Sequence, residues 1–380
     1  MRIVDLFSGA GGLTFGFYYK LINGEFERNR NSDFIFANEY DNAASNAFSE
    51  NFPDINMINR DIKSLSREEI LGLIGDAEVD VIIGGPPCQS YSYVGKRKFD
   101  DKAQLYKEYY RMLSIIRPKM FLFENVKGML SMKDNEGNLV IDNISNDFAN
   151  IEGGLGYRIN YTILDAVDFG VPQHRERVFI IGIRNDLDVE WSFDVLVKEE
   201  RQWTIKEAIS DLPAIEGGEE ITEYINKDVL NEYQRLMRKN SPVLTCHFLG
   251  TYGDKIQTIM SHVIQGEGKD YINKLVEQGV LDEKYRLTSG YKNTYGRLCA
   301  DRPCTTITYN MSTPSGLRCI HYEQNRALTP REGARIQSFP DWFVFKGNRR
   351  EIKTQIGNAV PPLLAIKLAE QIEALLDRGD

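Results

Sequence analysis

The first half of this 380-residue chain alternates between short, continuously apolar runs and segments with helical signals, and this alternation restricts the fold more than any other feature. Strand-like runs occupy residues 2–7, 34–39, 79–85, 120–126, 157–164 and 178–183, all rich in Val, Ile and Phe. Most are too continuously apolar for a sheet with one wet face, so they read as parallel strands covered on both sides. Between them, Ser66-Arg67-Glu68-Glu69 is a capping box that opens one helix, and residues 103–116 read as another, stopped by Pro118. Alternating β and α predicts a doubly wound, mostly parallel α/β sheet with ligands at the carboxyl ends of its strands.

Beyond about residue 187 the alternation stops. Helix-like pieces at 204–210 and 228–239 mix with polar stretches and a Thr/Tyr-rich run at 305–310, which predicts a second, smaller and irregular domain over residues 188–327. Regularity returns at Leu328-Thr329-Pro330, where Thr329 caps a helix with Pro330 at its first position. A last helix over 363–376 follows Pro361-Pro362. Residues 328–380 are therefore expected to return to the domain formed by residues 1–187. The net charge of −9 excludes a uniformly basic nucleic-acid binder but not a basic cleft in an acidic surface. Five cysteines at irregular spacing make no disulfide framework and suit a reducing, cytosolic setting. The chain begins MRIVDLFSG, with no secretory signal, and no apolar run approaches membrane-spanning length. A soluble, intracellular protein is expected.

Chemistry-bearing residues gather at the predicted strand ends. Asp5-Leu6-Phe7-Ser8-Gly9-Ala10-Gly11-Gly12 is a glycine-rich turn, but Thr14 stands where the dinucleotide pattern needs its third glycine. The glycines still permit a ligand to approach the backbone closely over a helix N-terminus. Glu39 ends the second strand, where a carboxylate accepts hydrogen bonds from ribose hydroxyls, and Asp61 and Ile62 follow a possible short third strand. Together these favour a nucleoside cofactor. In GGPPCQSYS, residues 84–92, the prolines end the strand and place Cys88 in a loop at the ligand edge, with the Pro86 carbonyl left free to face a ligand. The thiolate would be the reactive form of Cys88. Glu124 leaves the apolar strand of FLFENV, which would raise its pKa and keep it able to donate a proton. Gln173-His174-Arg175-Glu176-Arg177 leads into the run at 178–183. A thiolate, an acid and an arginine beside a nucleoside site suit one reaction. The thiolate adds to C6 of cytosine, the acid protonates N3 and the arginine holds O2, making C5 an enamine nucleophile for a methyl on a sulfonium.

These blocks resemble the DNA (cytosine-5)-methyltransferases of the bacterial and phage restriction-modification type. DLFSGAGG resembles the first family motif, GGPPCQSYS the catalytic-cysteine motif and FENVKGML the ENV motif. FGVPQHRERVFIIG resembles the QxRxR motif, and LTPREGARIQSFPDWF and QIGNAVPP the C-terminal motifs. The resemblance implies the S-adenosylmethionine-dependent methyltransferase fold, with residues 1–187 catalytic and cofactor-binding and 188–327 a target-recognition domain. It implies Cys88 as nucleophile, Glu124 as the acid at N3 and N4, and Arg177 at O2 with Arg175 nearby. For S-adenosylmethionine, which leaves as S-adenosylhomocysteine, it implies Phe7 on the adenine, Glu39 on the ribose, and Asp61 and Ile62 on the adenine edge. Ser8, Gly9, Gly11, Gly12, Tyr40, Pro86, Leu105, Asn358 and Val360 would complete that pocket. No metal is expected. His174 departs from the family pattern at a position without an essential role.

Cytosine C6 is inaccessible inside a duplex, so the base must be flipped out. Lys96, Arg97 and Lys98 follow Gly95 in the loop after Cys88 and are expected to meet phosphates as that loop closes over DNA. Arg286 and Lys292 sit in a basic-aromatic stretch suited to DNA, while Arg297 and Arg302 meet phosphate or buttress loops. Cys299, Cys304, Cys319 and His321 are spaced too loosely for a zinc site. Two alternatives remain: a tRNA cytosine-5 methyltransferase on the same scaffold, and a catalytically silent DNA-binding relative. The partners implied are duplex DNA and a separately encoded restriction endonuclease, with the protein a monomer in the bacterial cytosol, on the nucleoid when bound, and no membrane.

Overall fold

The computed structural model describes residues 1–76, 78–87, 105–151, 156–225 and 230–377. Its strands are β1 (Arg2–Leu6), β2 (Tyr19–Ile22), β3 (Glu25–Arg28), β4 (Asp33–Asn38), β5 (Met57–Ile58), β6 (Val81–Gly84), β7 (Met120–Val126), β8 (Tyr157–Asp165) and β9 (Glu176–Arg184). All but β2 and β3 form one seven-stranded sheet in the order β5-β4-β1-β6-β7-β9-β8. β1, β4, β5, β6 and β7 pair in parallel, whereas β9 runs antiparallel to both β7 and β8. The mostly parallel α/β sheet read from the sequence is what forms.

Side chains alternate between two buried cores, as the two-residue period of a strand requires. Ile3, Val81, Ile83, Met120, Leu122, Phe179 and Ile181 point into one core. Val4, Leu6, Ile82, Phe121, Phe123, Val178 and Ile180 point into the other. Both faces are covered, which is why these strands read as unbroken apolar runs. Around the sheet lie α1 (Gly12–Tyr18), α2 (Asn42–Asn51), α3 (Arg67–Ile74), α4 (Tyr106–Ile116) and α5 (Val140–Ala149). Their ends are written locally. Asp41 caps α2 by accepting from the Ala44 amide at 2.8 Å, Ser66 and Glu69 form the expected capping box on α3, and Arg117 ends α4 in the left-handed region before Pro118.

α6 (Ile205–Ile209), α7 (Glu232–Arg238), α8 (Asp254–His262) and α9 (Lys269–Glu277) follow, then α10 (Pro330–Ile336), α11 (Arg349–Asn358) and α12 (Pro362–Leu376). Thr329 caps α10 with Pro330 at the start, as the sequence indicates. α12 lies against α1 so closely that a Cβ on Gly16 would come within 2.1 Å of the Ala365 carbonyl carbon. Glu373 of α12 accepts from Lys20 at 2.8 Å and from Asn31 at 2.7 Å. α12 is thus packed and hydrogen-bonded onto the N-terminal region. α6 and α7 also join the main core, through Ile205, Ala208, Tyr233 and Met237. A separate small core forms later in the chain, around Ile259, Met260, Ile272, Val276 and Ile320.

The hairpin β2–β3 is absent from the sequence reading. Its turn is Asn23-Gly24, with both residues at positive φ (51° and 74°), the conformation two-residue hairpins favour. The dipeptide was the available signal.

Candidate active site

The carboxyl ends of β1, β4, β6 and β7 meet at one edge. After β1 the backbone turns through Phe7, a non-glycine residue at φ 56°, then Gly9 at 58° and Gly11 at 95°. Gly11 must be glycine, since a Cβ would come within 2.3 Å of the Phe52 ring, and a Cβ on Gly12 would come within 2.4 Å of the Val360 carbonyl oxygen. Gly9 faces open space, with no atom within 4 Å of a Cβ built there. It leaves a bare backbone shelf between Phe7 and Glu39. Glu39 accepts from the Gly9 amide and the Asp41 amide, both at 2.8 Å, so its carboxylate ties β4 to the glycine turn. Burial pushes its pKa up. Ser8 donates to the carbonyls of Asp5 and Asn38. Asn38 in turn holds the β5 end by donating to the Ile58 and Arg60 carbonyls, both at 2.9 Å, which brings Asp61 and Ile62 to the same edge. The Val360 contact does the same for Asn358 and Val360, while Tyr40 stands exposed beside Glu39 and Leu105 caps α4. The sequence reading named Asp5 and Thr14 but assigned them no role beneath this turn. Asp5 is fully buried, Thr14 donates to its Oδ2, and its Oδ1 has no hydrogen-bond partner.

The second half of the edge is acidic and cationic. In the β6–β7 register Gly84 lies opposite Phe123, so Gly85 lies beside Glu124, and a Cβ on Gly85 would come within 2.7 Å of Glu124 Oε2. Glu124 pairs across β9 with Phe179, and Arg177 with Val126. Glu124 and Arg177 are therefore diagonal neighbours on one face of the sheet, and Arg177 Nε reaches Glu124 Oε1 at 3.2 Å. Burial raises the Glu124 pKa against the opposing pull of Arg177 and Arg175. Arg175 is buried, donating from Nη1 to the Ile307 carbonyl and from Nη2 to the Gly357 carbonyl, both at 3.0 Å. The Pro86 carbonyl is not left free as expected: Asn125 Nδ2 donates to it at 3.3 Å, anchoring the loop to β7. Neither Asn125 nor Gln173 was singled out from the sequence. Gln173 is fully buried, accepting from the Ile307 amide at 2.6 Å and donating to Gln337 at 2.7 Å. Their signal was only adjacency to Glu124 and Arg175.

Cys88, Lys96, Arg97 and Lys98 lie outside the described residues. Arg286 is paired with Glu283 and Glu277, Lys292 lies 4.0 Å from Asp270, and Arg302 is exposed. Arg297 is buried and donates to the carbonyls of Val263, His321, Gln324 and Met260, so of its two expected roles it takes the buttressing one. His174 is half-exposed, 2.9 Å from Asp165. Cys304 and Cys319 are buried, and His321 Nδ1 accepts from the Glu323 and Gln324 amides. Among the described residues no three His, Cys, Asp or Glu converge to hold a metal, and no helix is long and apolar enough to cross a membrane.

The family profile of the C-5 cytosine-specific DNA methylases matches residues 1–374. The chain belongs to that family. It is 35% identical to the type II methyltransferase M.DdeI of Desulfomicrobium norvegicum, covering 98% of this chain and 88% of that one. It is 33% identical to the type II methyltransferase M1.HphI of Haemophilus parahaemolyticus, covering 98% and 86%. Among solved structures it is similar to a prophage-encoded E. coli protein described as a DNA modification methyltransferase, with TM-score 0.75 and 27% identity over 99% of each chain. The methyltransferase EhMeth of Entamoeba histolytica shares the fold, with TM-score 0.59 over 99% of this chain and 98% of that one, at 19% identity. This cytosine-5 DNA methylase therefore carries Glu124, Arg177 and the glycine turn on the edge where its family's chemistry is expected.

Proposed function

We propose that this methylase transfers the methyl group of S-adenosylmethionine to C5 of a cytosine flipped out of duplex DNA, through an adduct between Cys88 and C6. The Glu124–Arg177 pair carries this reading, because it places a proton donor and a fixed cation on one face of one strand pair. The cofactor fits the residues present. The open shelf at Gly9 takes a ligand against bare backbone, Glu39 suits ribose hydroxyls, and nothing in the turn demands a phosphate. Phe7, Asp61, Ile62, Asn358 and Val360 would hold it, and once bound it supplies an electrophilic methyl on sulfur.

The work of the chain is then to make C5 nucleophilic. The Cys88 thiolate forms a bond to C6 while Glu124 delivers a proton to N3 and Arg177 holds O2, so negative charge never accumulates on the ring. After methylation the C5 proton passes to water, departure of the thiolate restores the C5–C6 double bond, and N3 returns its proton to Glu124, which regenerates the free enzyme. Burial raises the Glu124 pKa and so favours its protonated form, the one that can deliver a proton. Arg175, bound to the carbonyls of Ile307 and Gly357, acts as a positioning residue that holds the approach to Arg177. Similarity to type II methyltransferases supports a role beside a separately encoded restriction endonuclease; the proposed setting is the cytosol, with the protein acting as a monomer.

Duplex DNA carrying 5-fluorocytosine tests the reading, since fluorine at C5 blocks release of the enzyme. A donor-dependent covalent complex is expected with the wild type and none with Cys88→Ser. A complex that survives this substitution, or forms on tRNA and not on duplex DNA, would sink the proposal.

A further inference from the structure

Three cations crowd one side of α11. Arg349, Arg350 and Lys353 are spaced three and four apart and share a helix face. Among the described residues none of them has an ion pair, whereas the nearby Lys346 is paired with Glu50 at 3.3 Å. Glu351, the acid within this helix, is turned back to its start, accepting from the Asn348 amide at 2.7 Å. Two arginines in a first turn oppose the helix dipole, a local cost that Glu351 and the Asn348 capping box offset only in part. Lys353 is half-buried, and burial together with Arg349 and Arg350 disfavours its charge. A protein of net charge −9 has acids in excess, yet among the described residues none forms an ion pair with this group.

The stripe is also well placed. At its start, the Arg349 guanidinium lies 4.7 Å from the Phe248 ring centroid, and Phe248 bridges to Glu220 on the chain leading to the second unit. At its end, Gly357 packs against the Thr308–Tyr309 backbone, where a Cβ would come within 2.3 Å of the Tyr309 amide nitrogen. The Gly357 carbonyl there accepts from Arg175, two residues before Arg177. From Arg349 to Lys353 the helix rises about 6 Å, roughly two base-pair steps of one DNA strand.

We infer that Arg349, Arg350 and Lys353 form a contact surface for the DNA sugar–phosphate backbone at the start of α11, the helix whose other end is tied to Arg175. The inference rests on the reading of duplex DNA as substrate. Phosphates would supply the negative charge that the protein withholds, and their contacts would set register without reading bases.

The test is binding of the full chain to a fluorescent 30-base-pair duplex, by anisotropy, between about 50 and 200 mM salt. Arg349→Gln/Arg350→Gln/Lys353→Gln is expected to bind more weakly, with a slope of log K against log salt shallower by about 2–3, at about 0.9 per lost contact. Its affinity for S-adenosylmethionine should be unchanged. Arg350→Gln alone, at an exposed position, should lose about one unit of slope, which keeps the test readable if the triple variant does not fold. Lys353→Arg should keep the slope, and Arg30→Gln/Arg67→Gln, remote surface cations, should match the wild type. An unchanged slope in the triple variant, with the wild type binding normally, overturns the inference alone. A wild type that binds no duplex overturns the DNA reading and the inference with it.

Discussion

Glu124 and Glu176 carry the same carboxyl group but lie in different surroundings. Glu176 is exposed and paired with Lys127 at 2.9 Å, a surface contact of little consequence. Glu124 is sheltered behind β6 and faces Arg177, and its raised pKa follows from that burial. Glu124→Gln removes the transferable proton while keeping the shape. The methylation rate should fall about 10²- to 10⁴-fold with duplex binding retained, as single-turnover kinetics and anisotropy would show. Asp5 makes a second case, tied to stability. Burial pushes its pKa from an ordinary 3.8 to about 7. Because the folded-state value is the raised one, folding favours the protonated form. The benefit is full below about pH 4, declines as pH rises through about 7, and is then gone, a span on the order of 4 kcal/mol. Urea unfolding of Asp5→Asn should lose most of that slope between pH 5 and about 7.5; an unaltered slope would show that Asp5 is ionised in the folded protein.

Strand direction decides more of the site than any single residue. Arg177 lies at the start of β9, and in a parallel strand that end would sit at the opposite edge of the sheet from Glu124. Because β9 runs antiparallel to β7, its first residues reach the edge where the parallel strands finish. The turn after β6 is tuned just as closely. A Cβ on Gly85 would come within 2.7 Å of Glu124 Oε2, the mobile end of a side chain, so Gly85→Ala can be accommodated by moving that carboxylate. The melting temperature should change little. Activity should drop about 10²-fold, since an ångström of displacement at a reacting group has that effect. An equal loss of stability and activity would mean that the backbone moved instead.

At the scale of the molecule, a buried charge network fastens the middle of the chain to its C-terminal segment. Arg335 of α10 donates to Asp341 at 2.9 and 2.6 Å and to Asp211 at 2.5 and 3.1 Å, while Tyr224 donates to Asp341 at 2.6 Å. All four are buried. Arg335→Met would leave two carboxylates without their shared cation, a loss of about 3–5 kcal/mol of stability by chemical denaturation. Asp211 and Tyr224 lie more than a hundred residues before Asp341, and no local pattern announces that they meet.

What the sequence determined by itself was whatever local physics encodes. Apolar runs covered on both faces marked the strands of the sheet, Ser66 and Thr329 marked helix starts, and Pro118 marked a helix end. Glu39, Glu124 and the glycine turn could be placed at strand ends for the same reason. The hairpin at Asn23-Gly24 was equally local and was missed, although its signal was present. Only the tertiary structure decided the direction of β9, the anchoring of Pro86 by Asn125, the carbonyl-bound setting of Arg175 and Arg297, and the unpaired cations of α11. Each depends on which segments meet across dozens or hundreds of residues. Apolar periodicity reports how deeply a segment is buried, but carries no information about which way it runs or which carbonyl its side chains will find.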